Sequence, residues 1–438
     1  MKKELLEKLI NSKKNLVVSG DISSGKTSNV MFPLVKEIIE EKQSLMILDA
    51  KEEYLNKYYD DLKKNDYNIV ILNLKDLNKS EGWNPLEYPY NLYKSGKIDE
   101  AVDFISKQSK ILVEKNSIPD PFWTNSAADF YTGVVLGLFE DGKAEEINLN
   151  SVNLMFNEID KKYAVSDYIT EYFKFKDPSS LAYVFASTTF LAPKETKGGI
   201  VSTARQNLRT CVSREMLSVL LSKTTFDIND TLSKPVAFFV IAKEENRDVN
   251  KIANMFIDQL FTILINSEVK NKFNFILDNF DVLEKIIDLN DMLSAGIPKN
   301  IMFYIATRSF DDLLKKYENY ITRLSNIVNV DKDNLVINNE KYNDNLECLI
   351  EPNVEVNVEF PILKECRINT FNLEDFVCNR KKDLVINDKT NPFNASNNAI
   401  DKMIIELEKK IEELEVEEKK DVEMENTNIK SDFLQFKI

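Results

Sequence analysis

Over the first 95 residues, apolar positions fall into short continuous runs separated by stretches in which they recur every three or four positions. Residues 16–19, 44–48 and 68–72 are runs of the first kind and read as buried strands. Residues 27–41 and 52–64 carry the helical period between them. This alternation predicts the βαβ rhythm of a doubly wound parallel sheet. From about Gly96 to Leu220 the pattern changes: residues 98–113, 125–139 and 152–159 are helical in period and carry few strand signals. Strand-like runs return at 236–242, 273–277 and 301–306, with a long helix over 249–267. The prediction is an α/β core (1–95 and 221–380) interrupted by an all-helical insertion domain (96–220).

Beyond the core, residues 381–398 are polar with one Pro and read as a linker. Ile404, Leu407, Ile411 and Leu414 then repeat at 3-4-3 spacing among Glu and Lys. Two heptads suit a charged helix fraying into an acidic tail better than a stable coiled-coil pair. Phe433, Leu434 and Phe436 form an apolar patch that is either idle or a short docking peptide.

One turn in the core carries chemistry. Gly20-Asp21-Ile22-Ser23-Ser24-Gly25-Lys26-Thr27 fits the P-loop pattern G-x-x-x-x-G-K-[ST], between an apolar strand and a helix. The two glycines let the backbone wrap so that successive N–H groups face a phosphate chain, and the helix adds its positive end. The expected ligand is ATP, contacted by residues 20–28 from Gly20 to Ser28. Lys26 would reach the β- and γ-phosphates and Thr27 would ligate Mg²⁺. The run 273–277 ends at Asp278, the candidate acid for holding Mg²⁺ through water, on a strand expected beside the P-loop strand. Many motor ATPases follow that acid with Glu as general base; here the residue is Asn279, which can hold a water but cannot take its proton. Asp281 or Glu284 could substitute. Arg308, after the run 301–306, would bring positive charge to the γ-phosphate, either stabilising the transition state or locking the ground state.

Composition narrows the setting. Net charge is −15, so DNA contact needs a local basic patch. Arg205, Arg209 and Arg214, with Lys194 and Lys197 before them, offer one on a single helical stretch; a solvated face or a subunit contact fits them equally, and Arg323 could also reach a neighbouring subunit. Four widely spaced cysteines suit a reducing cytoplasm. The absence of histidine excludes Ser–His and Cys–His nucleophiles and His-ligated metals. Neither a signal peptide nor an apolar stretch of membrane-spanning length is visible, so membrane association is expected only through a partner.

Taken in order, Gly20 to Thr27, Asp49-Ala50-Lys51-Glu52-Glu53, Trp83-Asn84-Pro85-Leu86, Phe122-Trp123-Thr124-Asn125, Ile276-Leu277-Asp278-Asn279 and Ala306-Thr307-Arg308-Ser309 resemble the TraG-type coupling proteins of conjugation and type IV secretion. The resemblance runs from about Leu16 to Glu318, and weakly to about Phe376. It implies a RecA-like P-loop ATPase, usually hexameric, that passes DNA or a relaxase–DNA complex to the type IV secretion channel, with cargo recognised by the helical insertion. It also implies a cytoplasmic position at the inner membrane face. Asp49 and Lys51 would lie near the nucleotide or simply form a strand-end turn. The chain departs from the family at Asn279 (usually Glu), at Arg308 (usually Gln) and in showing no N-terminal membrane hairpin. The first two departures open a second reading, an ATP-binding scaffold that recruits cargo without steady turnover. A soluble DNA translocase of the septal or repair type is a third, against which Trp123 and the long insertion speak.

Overall fold

Buried apolar strands alternate with amphipathic helices at the start of the chain: β1 (Asn15–Ser19), α1 (Phe32–Glu40), β2 (Ser44–Leu48), α2 (Glu53–Lys64) and β3 (Asn68–Asn73). The computed structural model describes residues 9–388 apart from 11, 114–120, 164–165, 245–248, 268–270, 319, 332–333, 338–339 and 343–367. After β3 come α3 (Glu87–Lys94), α4 (Ile98–Val113), α5 (Pro121–Asp141), α6 (Leu149–Asn157), β4 (Lys162–Tyr163), β5 (Ser166–Asp167), α7 (Tyr168–Lys174), α8 (Leu181–Phe190), α9 (Lys194–Val212), α10 (Glu215–Leu220) and α11 (Ile228–Leu232). The sheet then resumes with β6 (Val236–Ile241), α12 (Lys251–Asn266), β7 (Phe273–Leu277), α13 (Leu289–Gly296), β8 (Ile301–Thr307), α14 (Phe310–Tyr317), α15 (Tyr320–Leu324) and β9 (Ser325–Asp331), followed by β10 (Asn334–Ile337) and β11 (Glu340–Tyr342).

Among the described residues these strands form one nine-stranded sheet in the order β11-β10-β9-β1-β8-β7-β2-β6-β3. Every pair from β9 to β3 is parallel, while β10 and β11 add an antiparallel edge. Parallel strands covered on both faces are predominantly apolar, which explains the runs of β2, β6 and β7, where Ser44 and Asn274 are the buried polar exceptions. The P-loop strand β1 and the acid-bearing strand β7 are not neighbours as expected: β8 lies between them, pairing Val18 with Ala306 on one side and Leu277 with Ile305 on the other. One core cluster packs α1 and α2 against the sheet through Val30, Leu34, Val35, Ile38, Tyr54, Tyr58, Ile47 and Phe239.

The interruption is helical with one exception, the two-residue ladder β4–β5, so it is not all-helical. Helix begins at Glu87, ahead of the expected boundary at 96. α5 is the axis of this region: it is buried from Ser126 to Phe139 apart from Asp129 and packs on α4, α8 and α9. The apolar stretch around 252–265, broken by Asn254, Asp258 and Gln259, is α12, a core helix buried over most of its length. No helix among the described residues is long and apolar enough to cross a membrane. The described residues up to Leu373 form one compact unit. A second unit starts at Glu374, of which only a helix, α16 (Leu373–Asp388), is described; it runs into the stretch read as linker. The heptad stripe at 404–414 and the patch at 433–436 lie outside the described residues.

Candidate nucleotide-binding site

Gly20 follows β1 directly, and its N–H donates to the carbonyl of Thr307 at the end of β8 (3.3 Å). The turn then rises through exposed Asp21, Ile22 and Ser23 and descends through buried Ser24. Gly25 has φ +86°, a conformation that requires glycine, and a Cβ there would also displace the Asn29 amide, whose Nδ2 would lie 2.4 Å away. A Cβ on Gly20 would come within 2.5 Å of the Val330 carbonyl oxygen, which is fixed backbone. The expected helix at 27–41 departs from regularity: Thr27–Met31 is a π-helical turn, in which the N–H of Phe32 donates to the carbonyl of Thr27. Pro33 accounts for this, because it has no N–H to give Asn29 and its ring crowds that carbonyl.

Lys26 folds back over the loop and donates to the carbonyls of Gly20 (3.0 Å) and Asp21 (3.4 Å). Burial lowers its pKa; Asp278 and Asp281 pull it back up, and Arg308 and Lys51 push it further down. The hydroxyl of Thr27 donates to Oδ2 of Asp278 at 2.8 Å, although 251 residues separate them. Ser28 Oγ donates to the carbonyl of Gly25 (3.3 Å). Asp278 is fully buried at the end of β7, and its Oδ1 accepts from the N–H of Asn279 (2.7 Å). Asn279 is left-handed (φ 52°, ψ 42°), so the chain turns sharply immediately after the acid. The substitute base Asp281 is already engaged: Oδ1 accepts from the Thr307 hydroxyl and Oδ2 from the Arg308 N–H, both at 2.8 Å. The other substitute, Glu284, pairs with Lys251 at 3.6 Å. The side chain of Arg308 is exposed, close enough to Lys26 to disfavour its charge.

These residues fit a metal-bound nucleoside polyphosphate. Arg308 and Lys51 each disfavour the charge of Lys26 beside the loop, which an anion would relieve. The hydroxyl of Ser24 is buried without a partner beneath the loop. The single proton of Thr27 is spent on Asp278, which leaves the lone pairs of its oxygen for a cation.

The family described as type IV secretory system conjugative DNA transfer matches residues 9–340, a span that holds both the P-loop and Asp278. The chain belongs to this conjugative DNA transfer family. No curated protein sequence matches it. Three solved forms of the bacterial conjugative coupling protein TrwB resemble its fold, each at 15% identity and TM-score 0.54. The unbound TrwBdeltaN70 form is matched over 72% of this chain and 68% of its own. The complex with the non-hydrolysable ATP analogue ADPNP is matched over 72% and 71%, and the complex with ADP and Mg²⁺ over 73% and 71%.

Segments that resemble the conjugative DNA transfer family outside the loop turn out to be braces. Asp49 is buried and caps α2, accepting from the N–H groups of Glu53 (3.0 Å), Tyr54 (2.9 Å) and Leu55 (2.9 Å). Those three bonds make it the cap of the strand-end turn, and burial pushes its pKa up to about 7 against the three donors. Lys51 is exposed on the same turn, and Glu52 takes the left-handed conformation (φ 61°). Trp83 Nε1 donates to Gln259 of α12 (3.0 Å), Gln259 donates to the Pro85 carbonyl (3.0 Å), and Asn84 donates to the Ile147 carbonyl (2.6 Å). Trp83-Asn84-Pro85 thereby ties the core to the helical region. Trp123 packs on Gly199 of α9, where a Cβ would lie 2.5 Å from its ring.

The basic patch changes shape. Lys197 pairs with Asp167 and donates to Thr170 Oγ1 (3.0 Å), and Arg205 pairs with Asp160 (3.0 Å) while donating to the Phe156 carbonyl (2.8 Å). α9 ends at Val212, so Arg214 is not on the same helix as the other two arginines. Lys194, Arg209, Arg214 and Arg323 are exposed. The sequence reading missed Tyr54, whose hydroxyl donates to Oδ2 of Asp278 at 2.7 Å. Nothing in the local pattern singles it out, since the partner is 224 residues away.

Proposed function

We propose that this protein binds ATP with Mg²⁺ in the loop Gly20–Ser28 and acts as the coupling ATPase of a conjugative type IV secretion system. In this reading it delivers DNA or a relaxase–DNA complex to the transfer channel by ATP-driven translocation, working as a ring, with cargo met by the helical region. The observation that carries the reading is the hydrogen bond between Thr27 and Asp278, which joins the two expected magnesium groups beside Lys26. TrwB, bound to an ATP analogue or to ADP and Mg²⁺, supports the choice of ligand by its fold. Lys26 would hold the β- and γ-phosphates, Thr27 would ligate the metal, Asp278 would hold a metal water, and Arg308 would meet the γ-phosphate. The bound metal supplies charge neutralisation across the phosphates.

A second reading, a scaffold that holds ATP without steady turnover, is favoured by the base position. Asn279 cannot take a proton, and Asp281 is engaged by Thr307 and Arg308. ATP affinity and turnover, measured with Mg²⁺ and with or without single-stranded DNA against Lys26→Ala, separate the two. DNA-stimulated turnover above the variant supports the motor. Tight binding with turnover no higher than the variant supports the scaffold, and no binding at all removes both.

A further inference from the structure

We propose that Tyr54 is a positioning residue of the magnesium site, holding the carboxylate of Asp278 in the orientation that Thr27 and the metal require. The inference rests on the nucleotide reading above and extends it to α2, an element outside both phosphate-binding and acid-bearing segments. Three donors set the carboxylate: the Asn279 N–H on Oδ1 at 2.7 Å, and the hydroxyls of Thr27 (2.8 Å) and Tyr54 (2.7 Å) together on Oδ2. Without the phenol, Oδ2 would be held from one side only, by a hydroxyl that must also serve the cation. The carboxylate plane could then rotate away from the position its metal-bound water needs.

Tyr54 is built to stay in place. Its ring is 1% exposed and meets Phe32 edge-on, with centroids 4.9 Å apart and planes at 79°. Its backbone N–H is fixed by Asp49 Oδ2 at 2.9 Å. Phe32 opens the helix behind the P-loop, and Asp49 follows β2 directly. One residue thus joins three parts of the site: its ring meets the loop helix, its backbone N–H the turn after β2, and its hydroxyl the acid after β7. This gives the Asp49-x-Lys51-x-Glu53 segment a reason to lie at the site although Asp49 itself faces α2.

The test is Tyr54→Phe in the full chain, read by titrating a fluorescent ATP analogue in Mg²⁺ and again in EDTA. The ring packing survives this change, so the fold should hold, which a thermal melt checks. The expected result is a Mg²⁺ midpoint raised about fivefold to twentyfold, with nucleotide affinity in EDTA unchanged. In the Asp278→Asn background, Tyr54→Phe should add little, because it acts through that carboxylate. A Mg²⁺ midpoint equal to wild type overturns the inference and leaves the nucleotide reading standing. Equal losses in Mg²⁺ and in EDTA also overturn it, since they mark a general packing role. Wild-type protein that binds ATP equally in Mg²⁺ and in EDTA overturns the inference alone, whereas wild-type protein that binds ATP in neither removes the nucleotide reading and the inference with it.

Discussion

Oδ2 of Asp278 accepts from two hydroxyls, and the backbone around it is turned by a left-handed Asn279. Each side chain here has a separable job. Asn279→Glu supplies a carboxylate directly after Asp278, where Asp281 is already engaged, and turnover is expected to rise by about 10²-fold or more in a steady-state phosphate-release assay. No change would mean that Arg308 or assembly limits the rate. Arg308→Gln removes a charge that Lys26 already feels. If that charge meets the γ-phosphate, ATP affinity should fall several-fold while ADP affinity holds, as read by competition titration. Asp49→Ala strips three N–H acceptor contacts from the start of α2 and should destabilise by about 1–2 kcal/mol in urea unfolding. The individual glycines, Lys26, Thr27 and Asp278 were legible from type and spacing. Tyr54 and the engagement of Asp281 were not, because both depend on partners brought in by the sheet.

Strands β2 and β7 begin and end where the mostly apolar runs do, because a strand buried on both faces admits a polar residue only where it finds a partner, as Asn274 does in the Ser44 carbonyl and Gln43. β9, by contrast, reads Ser-Asn-Ile-Val-Asn-Val-Asp, with polar residues at both ends and in the middle, and no run signals it. The π-helical turn at Thr27–Met31 was hidden in a period that reads as plain helix; Pro33 was its one visible sign. α12 carries a titrating element. Asp258 is buried among Lys107 of α4 and Asp288, and burial pushes its pKa up to about 6. A folded pKa above the unfolded value of 3.8 means that the folded chain binds the extra proton, so this group favours folding below about pH 4 and loses that contribution as pH rises through 6. Asp258→Asn should flatten the decline relative to wild type and gain up to about 3 kcal/mol at pH 7, as read by melts from pH 4 to 8.

For the whole molecule, a net charge of −15 opposes DNA, so binding must rest on a few exposed cations. Arg209 and Arg214 are exposed, whereas Arg205 is held by Asp160 and Phe156. If the helical region meets phosphates, Arg209→Ala with Arg214→Ala should lower the salt slope of single-stranded DNA binding by about 1–2. Arg205→Ala should instead lower the melting temperature and leave that slope alone. The order of the sheet carries one more consequence. β1 and β2 are made early but never touch; β8 and β7 fill the space between them, and both arrive after the entire helical region. A ribosome therefore releases two bare, sticky ribbons long before the pieces that clasp them exist. Assembly of the core is expected to be slow and late, with chaperones guarding the nascent chain until β8 has emerged.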